Sequence, residues 1–147
     1  MWVDRNEDGS VAVGSTKFSD TAIEVEPLPA EQDELTWVEG EPLPTIDPVK
    51  VFTKKILHFE SLAYAHIQSI VDAHNVANKT TFADVYRCQM YIGGVHPSAL
   101  FCADVWAYND LVWKDLRLLL IDIQAGTTAI PADDDAFMAL LPVYSGA

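Results

Sequence analysis

From Pro48 to about Ala77 the chain runs roughly 30 residues with no glycine and no further proline, a length that helix tolerates and strand does not. Asp47 is a good N-cap, and Pro48 suits the first helical position, where its missing N–H is no loss. Phe52, Ile56, Phe59, Ala63, Ile67, Ile70 and His74 recur at three- and four-residue steps. The spacing predicts one long amphipathic helix, a rod of roughly 45 Å at 1.5 Å per residue. A rod of that length has one greasy stripe and needs other helices to cover it.

The sequence supplies them. Asn78-Lys79-Thr80 breaks the rod. Thr81 then caps a second helix, with Asp84 three residues on, and Gly93-Gly94 ends it. His96-Pro97-Ser98 opens a third helix that runs to Ala125, where Gly126 is a natural C′ residue. After the TTAIP loop, Asp133 caps a last short helix through Leu141, stopped by Pro142. Long, short, long, short suggests an antiparallel hairpin or a three-helix bundle. The third helix has two apolar stripes. Val105, Tyr108, Val112, Leu116, Leu119 and Ile123 form one; Trp106, Trp113 and Leu120 lie beside it. One stripe suffices for a bundle of this size. The second is either the edge of a wide internal core or a surface for a partner.

Residues 1–16 read as a β-hairpin, with WVDR and SVAV flanking NEDG, since Asp-Gly is a strong hairpin turn. Residues 17–47 are acidic and carry EPLP twice, at Glu26–Pro29 and Glu41–Pro44, which favours extended backbone. Between the copies sits the apolar clip LTWV, Leu35–Val38. The segment is expected to be an arm without a core of its own, held against the helical domain or a partner. The expected fold is therefore mainly α. A helical bundle over 48–147 comes after an N-terminal hairpin over 1–16 and an extended acidic, proline-rich arm over 17–47.

Charge narrows the partners. The net charge is −13; residues 1–48 hold 12 acidic and 2 basic side chains, and residues 49–147 hold 10 and 7. Phosphate backbones and anionic membranes reward Lys and Arg, so neither nucleic acid nor a membrane surface is an expected partner. Two cysteines, Cys88 and Cys102, make no disulfide framework and suit buried thiols. Charges come directly after Met1-Trp2-Val3, so no secretory leader is expected. Leu118–Ile121 is far shorter than the ~20 apolar residues of a membrane span.

Motifs for chemistry are sparse. Asp4, Asn6 and Asp8, with Gly9 and Val11, match the first eight positions of a calcium loop, but the twelfth is Ser15 where a bidentate Glu belongs. An Asx-Gly hairpin turn is the simpler reading. His58, His66 and His74 are spaced by eight, with no carboxylate at metal-ligand spacing. Cys88 has no CxxC partner, and Asp133-Asp134-Asp135 suits a helix N-terminus. No phosphate-binding glycine loop or nucleophile elbow occurs. No cofactor, no metal and no enzymatic role are expected.

With YNDLVWKDLRLLLIDIQAG on one helix, residues 55–142 resemble a module of small tailed-bacteriophage proteins encoded among tail and tail-fibre genes. That module has an aromatic-Arg-Asp-x-Val-Trp helix ending in Val-Gln-Ala-Gly, then a proline-containing loop and a short acidic helix ending in Leu-Pro. The matching residues are Tyr108, Asp110, Val112, Trp113, Asp122, Ile123, Gln124, Ala125, Gly126, Pro131, Leu141 and Pro142. Tyr108 replaces the usual Trp, Asn109 the usual Arg, and Asp135-Ala136 a Glu-Leu. The resemblance implies a packing unit with no assigned catalytic residue. It points to a virion structural protein of the tail, baseplate or fibre, made in the host cytoplasm and oligomeric with other tail or fibre proteins. The alternative is a fibre-assembly chaperone absent from the mature particle. Trp37, Trp106, Trp113 and Leu120 are the expected contact residues, because buried aromatic side chains anchor interfaces.

Overall fold

The computed structural model describes residues 1–28 and 30–146; Pro29, the end of the first EPLP copy, lies outside them. Contacts divide the chain into two compact units, Met1–His58 and Phe59–Ala147. The fold is mainly α with a small N-terminal β region.

The first unit starts with the expected hairpin. Strands β1 (Trp2–Arg5) and β2 (Val11–Gly14) pair antiparallel, with Val3 opposite Val13 and Arg5 opposite Val11. Gly9 holds φ at 83°, which a side chain would resist, and its N–H closes the turn onto Asn6 O at 3.0 Å. Strand β3 (Ile23–Glu24) adds to the other edge of β1, giving the order β2-β1-β3. A 3-10 turn at Gln32–Glu34 leads to β4 (Leu35–Thr36), which pairs with β5 (Thr45–Ile46) across a connection that holds the second EPLP.

The acidic segment shares a core with the hairpin: Leu35 is buried with Val3 and Val11, and Val13, Ile23, Val25, Leu28 and Trp37 pack around them. Two features hold it there. The hairpin offers an apolar sheet face that residues 17–47 alone do not have. Lysines at the start of α1 (Pro48–Asn78) then hold the acids: Lys50 Nζ donates to Leu35 O at 2.8 Å. Lys54 pairs with Glu31, with Asp33 at 2.9 Å and with Glu34 at 3.3 Å.

The second unit is helical. From α1, Phe59, Ala63, Ile67 and Val71 enter its core at four-residue steps. The short α2 (Val85–Cys88) adds Val85 and Cys88. From α3 (Ala99–Gln124) come Phe101, Cys102, Val105, Tyr108 and Val112. Finally α4 (Asp134–Met138) adds Phe137, whose ring stacks on Phe59 at 4.5 Å. Each fully buried aliphatic or aromatic side chain contributes about 1.5–3 kcal/mol.

Three helix ends differ from expectation: α2 starts at Val85 rather than after Thr81 and stops at Cys88 rather than at Gly93-Gly94, and α4 stops at Met138 rather than at Leu141. Thr81 caps nothing: Asp84 is the N-cap of α2 and accepts from Arg87 N at 2.9 Å. Thr81 is displaced because Asn75 of α1 captures the connecting chain. Its side chain accepts from Phe82 N at 3.0 Å and donates to Phe82 O at 2.7 Å, so residues 80–83 stay out of helix. Beyond α2 the chain makes a single 3-10 turn, Gln89–Tyr91. Asp133 caps α4 as expected, accepting from Ala136 N at 2.7 Å. Gly126 ends α3 with φ 76°: its N–H reaches Ile123 O and Thr127 N–H reaches Asp122 O, the paired bonds of a Schellman cap.

Phe137→Ala removes the ring that α4 contributes to this core and is expected to cost about 3–5 kcal/mol in urea unfolding. A loss below about 1 kcal/mol would mean that the ring is not a core element.

Candidate functional site

The calcium-loop residues are engaged as a turn. Asp4 accepts from Ser19 Oγ and Thr21 Oγ1, both at 2.5 Å, and from its neighbour Arg5 N–H at 2.9 Å. These bonds, the two hydroxyls first, hold its carboxyl below the usual range. Asp8 accepts from both the hydroxyl and the N–H of Ser10, with the same effect on its carboxyl. Asn6 presents its amide N–H to Ser10 Oγ at 2.8 Å, so its donor rather than its carbonyl faces the turn. The geometry is that of a hydrogen-bonded hairpin. Among the described residues, Glu31, Asp33 and Glu34 have carboxylate oxygens close enough to share a metal ion. Lys54 already sits among them, and those bonds push its ammonium pKa upward.

Trp37 is a joint inside the first unit. Its N–H donates to Gly9 O at 3.0 Å, its carbonyl accepts from Arg5 Nε at 2.7 Å, and its indole donates to Glu41 O at 2.8 Å. Together these bonds tie the hairpin to the β4–β5 segment. Trp106 and Trp113 are half-buried and pack against the helical core. Trp106 meets Tyr86 edge-on at 5.8 Å, and Trp113 donates to buried Asn109 Oδ1 at 2.9 Å, one turn away. The buried Asn109 amide thus serves this indole. Leu120 is half-buried as well.

The exposed apolar face of α3 lies elsewhere, on residues outside both predicted stripes. Leu100, Leu111 and Leu118 fall within roughly 20° of one another at about 100° per residue, and all three are exposed. Ile121 flanks them, also exposed. At the C-terminal end of α3 a groove of about 260 Å³ is lined by Asp115, Leu116, Leu118, Leu119, Asp122, Leu140 and Leu141. The spacing 100, 111, 118 is a signal present in the sequence, masked by the larger tryptophans nearby.

Two histidines of α1 hold polar networks inside the second unit. Tyr108 donates its hydroxyl proton to Pro142 O at 2.6 Å, so it can only accept from His66 Nε2–H at 3.0 Å. This ties α1, α3 and the chain after α4. Burial raises the Tyr108 pKa. His74 stacks flat on Phe101 at 3.6 Å and meets Ser98 Oγ at 2.9 Å through Nε2. Asn78 Nδ2 donates to His74 O and, at 3.1 Å, to His74 Nδ1. That leaves the imidazole proton on Nε2, where it donates to Ser98. A histidine that donates to a serine cannot take that serine's proton, so the Ser98–His74–Asn78 chain orients and packs. Burial first, and neighbouring His96 second, lower the His74 pKa.

The thiols are both fully buried and unpaired. Burial pushes Cys88 up to about 12, with Cys102 beside it as the next cause, and burial raises Cys102 as well. A thiol held protonated is a poor nucleophile.

No helix among the described residues is long and apolar enough to cross a membrane. No protein-family model, curated protein or solved structure matches the chain.

Because His74 folds with its pKa below the ordinary 6.5, the unfolded chain takes up a proton that the native chain refuses. Stability is therefore full above about pH 6.5. It falls as pH drops below that value, by at most about 1.4 kcal/mol per pH unit, and levels off below the native pKa. Urea midpoints between pH 8 and 5 should show this slope, and His74→Gln should flatten it. An unchanged slope in the variant would remove His74 as the cause. Cys88 and Cys102 should resist a water-soluble disulfide reagent in the native protein at pH 8 and both react once unfolded. Rapid native labelling would contradict their burial.

Proposed function

We propose that this chain is a non-enzymatic structural subunit of a tailed-phage particle, an accessory or adaptor in the tail, baseplate or fibre base. In this reading the helices close as a long-short-long-short bundle within one chain, and the acidic first unit adds a second contact surface to neighbouring tail proteins. One observation carries it: α3 presents exposed Leu111, Leu118 and Ile121 toward its C-terminal end, where a groove is rimmed by Asp115 and Asp122. Contiguous apolar surface with a polar rim is what protein–protein contacts use. The likeness of residues 55–142 to a phage tail module gives the setting. Trp106 and Trp113 enter as core-packing residues of the same helix rather than as part of that face. Trp37 likewise supports the first unit.

The stripe allows a cleaner test than the tryptophans do. Leu111→Glu with Leu118→Glu changes exposed positions, where substitutions shift stability by about 0.5 kcal/mol or less. The double variant is expected to fold with a native circular dichroism spectrum and to be lost from purified particles. Incorporation at the wild-type ratio would overturn the reading.

A further inference from the structure

We infer that the corner between α1 and α2 is a binding site for an oxyanion, a carboxylate or phosphate, carried on a flat apolar body. The cavity measures about 430 Å³ and is lined by residues 79–83 together with Arg87, Met90, Tyr91 and His96. No acidic residue lines it, in a protein with a net charge of −13. Lys79 and Arg87 are two of the four Lys and Arg residues of the second unit, and neither has an ion-pair partner among the described residues.

A third donor emerges from the hydrogen bonds. Ser98 N–H donates to His96 Nδ1 at 3.0 Å, so the neutral ring carries its proton on Nε2. No hydrogen bond within the described residues uses that N–H. The aromatic wall is built as well. Phe82, Tyr91 and His96 meet one another at centroid distances of 4.9 to 5.6 Å. Asn75 holds Phe82 by both backbone groups, and Gln68 holds Ala83 O at 2.8 Å. The wall is therefore anchored to α1. Three free donors beside fixed ring faces suit charge-assisted bonds to an oxyanion and stacking of an attached ring.

Lys79 gives the site its best handle. It adopts φ 55°, a left-handed conformation that costs a lysine energy and a glycine little, and it ends α1 where glycine is usual. Lys79→Gly should therefore raise the unfolding midpoint while removing a cation from the cavity. A variant that is more stable yet binds worse separates binding from folding.

The test is an NMR titration of the full chain with inorganic phosphate, with phenyl phosphate and with a peptide copy of residues 31–38, which carries Glu31, Asp33, Glu34 and Trp37. Saturable shifts at Phe82, Tyr91 and His96 are expected. Phenyl phosphate should bind more tightly than inorganic phosphate. Lys79→Gly and Arg87→Ala should each weaken binding by about tenfold or more, the worth of one charge-assisted bond. Tighter binding of phenyl phosphate than of the peptide assigns the site to small organic anions. The reverse order assigns it to an acidic chain segment. Shifts that stay linear at millimolar ligand, or that survive when Lys79→Gly and Arg87→Ala are combined, would overturn the proposal. It stands or falls independently of the particle experiment above.

Discussion

The second unit depends on one seam, the four-residue steps Phe59, Ala63, Ile67 and Val71 on α1 sharing a core with Phe101, Cys102, Val105, Tyr108 and Val112 on α3. Most of these side chains are fully buried or nearly so. Everything shorter is attached to this seam. A one-turn element such as α2 or α4 is not stable alone. Each persists because it drops a residue into the shared core: Cys88 and Val85 in one case, Phe137 in the other.

Polar side chains then decide where the connections go. Asn75 and Gln68 pin residues 80–83, His74 and Ser98 lock the start of α3, and His66 with Tyr108 secures the chain at Pro142. These contacts are partners found by α1 across the fold. They give two histidines of the eight-residue spacing a structural use: His66 meets Tyr108 and His74 meets Ser98. The first unit solves a different problem. Acidic side chains repel one another, and Lys50 and Lys54, one turn apart, gather that segment at the start of α1.

The long elements were legible in the sequence. Periodicity and caps placed α1 and α3 to within a residue or two, the Asp-Gly turn placed β1 and β2, and Gly126 marked its helix end. These signals are local, set by backbone geometry within a few residues. What stayed hidden was tertiary. Thr81 lost its cap role to Asp84 because Asn75, six positions back, holds the connecting chain out of helix. Leu35 gained a core because a hairpin distant in sequence covered it. On α3, Trp106 and Trp113 pack against the core while Leu111 and Leu118 are exposed, a division that periodicity alone does not give. Nor could spacing reveal the donors that meet at Lys79, Arg87 and His96, since their convergence depends on how residues 80–83 are tethered.

The proposed role as an interaction subunit rests on the apolar side chains that α3 leaves exposed, Leu111 and Leu118 among them. The most direct measurement is quantitative mass spectrometry of purified phage particles from the source. The account predicts this chain at a fixed, integral ratio to the tail proteins. Its presence in the lysate but not in particles would contradict a structural role and give the protein to assembly instead.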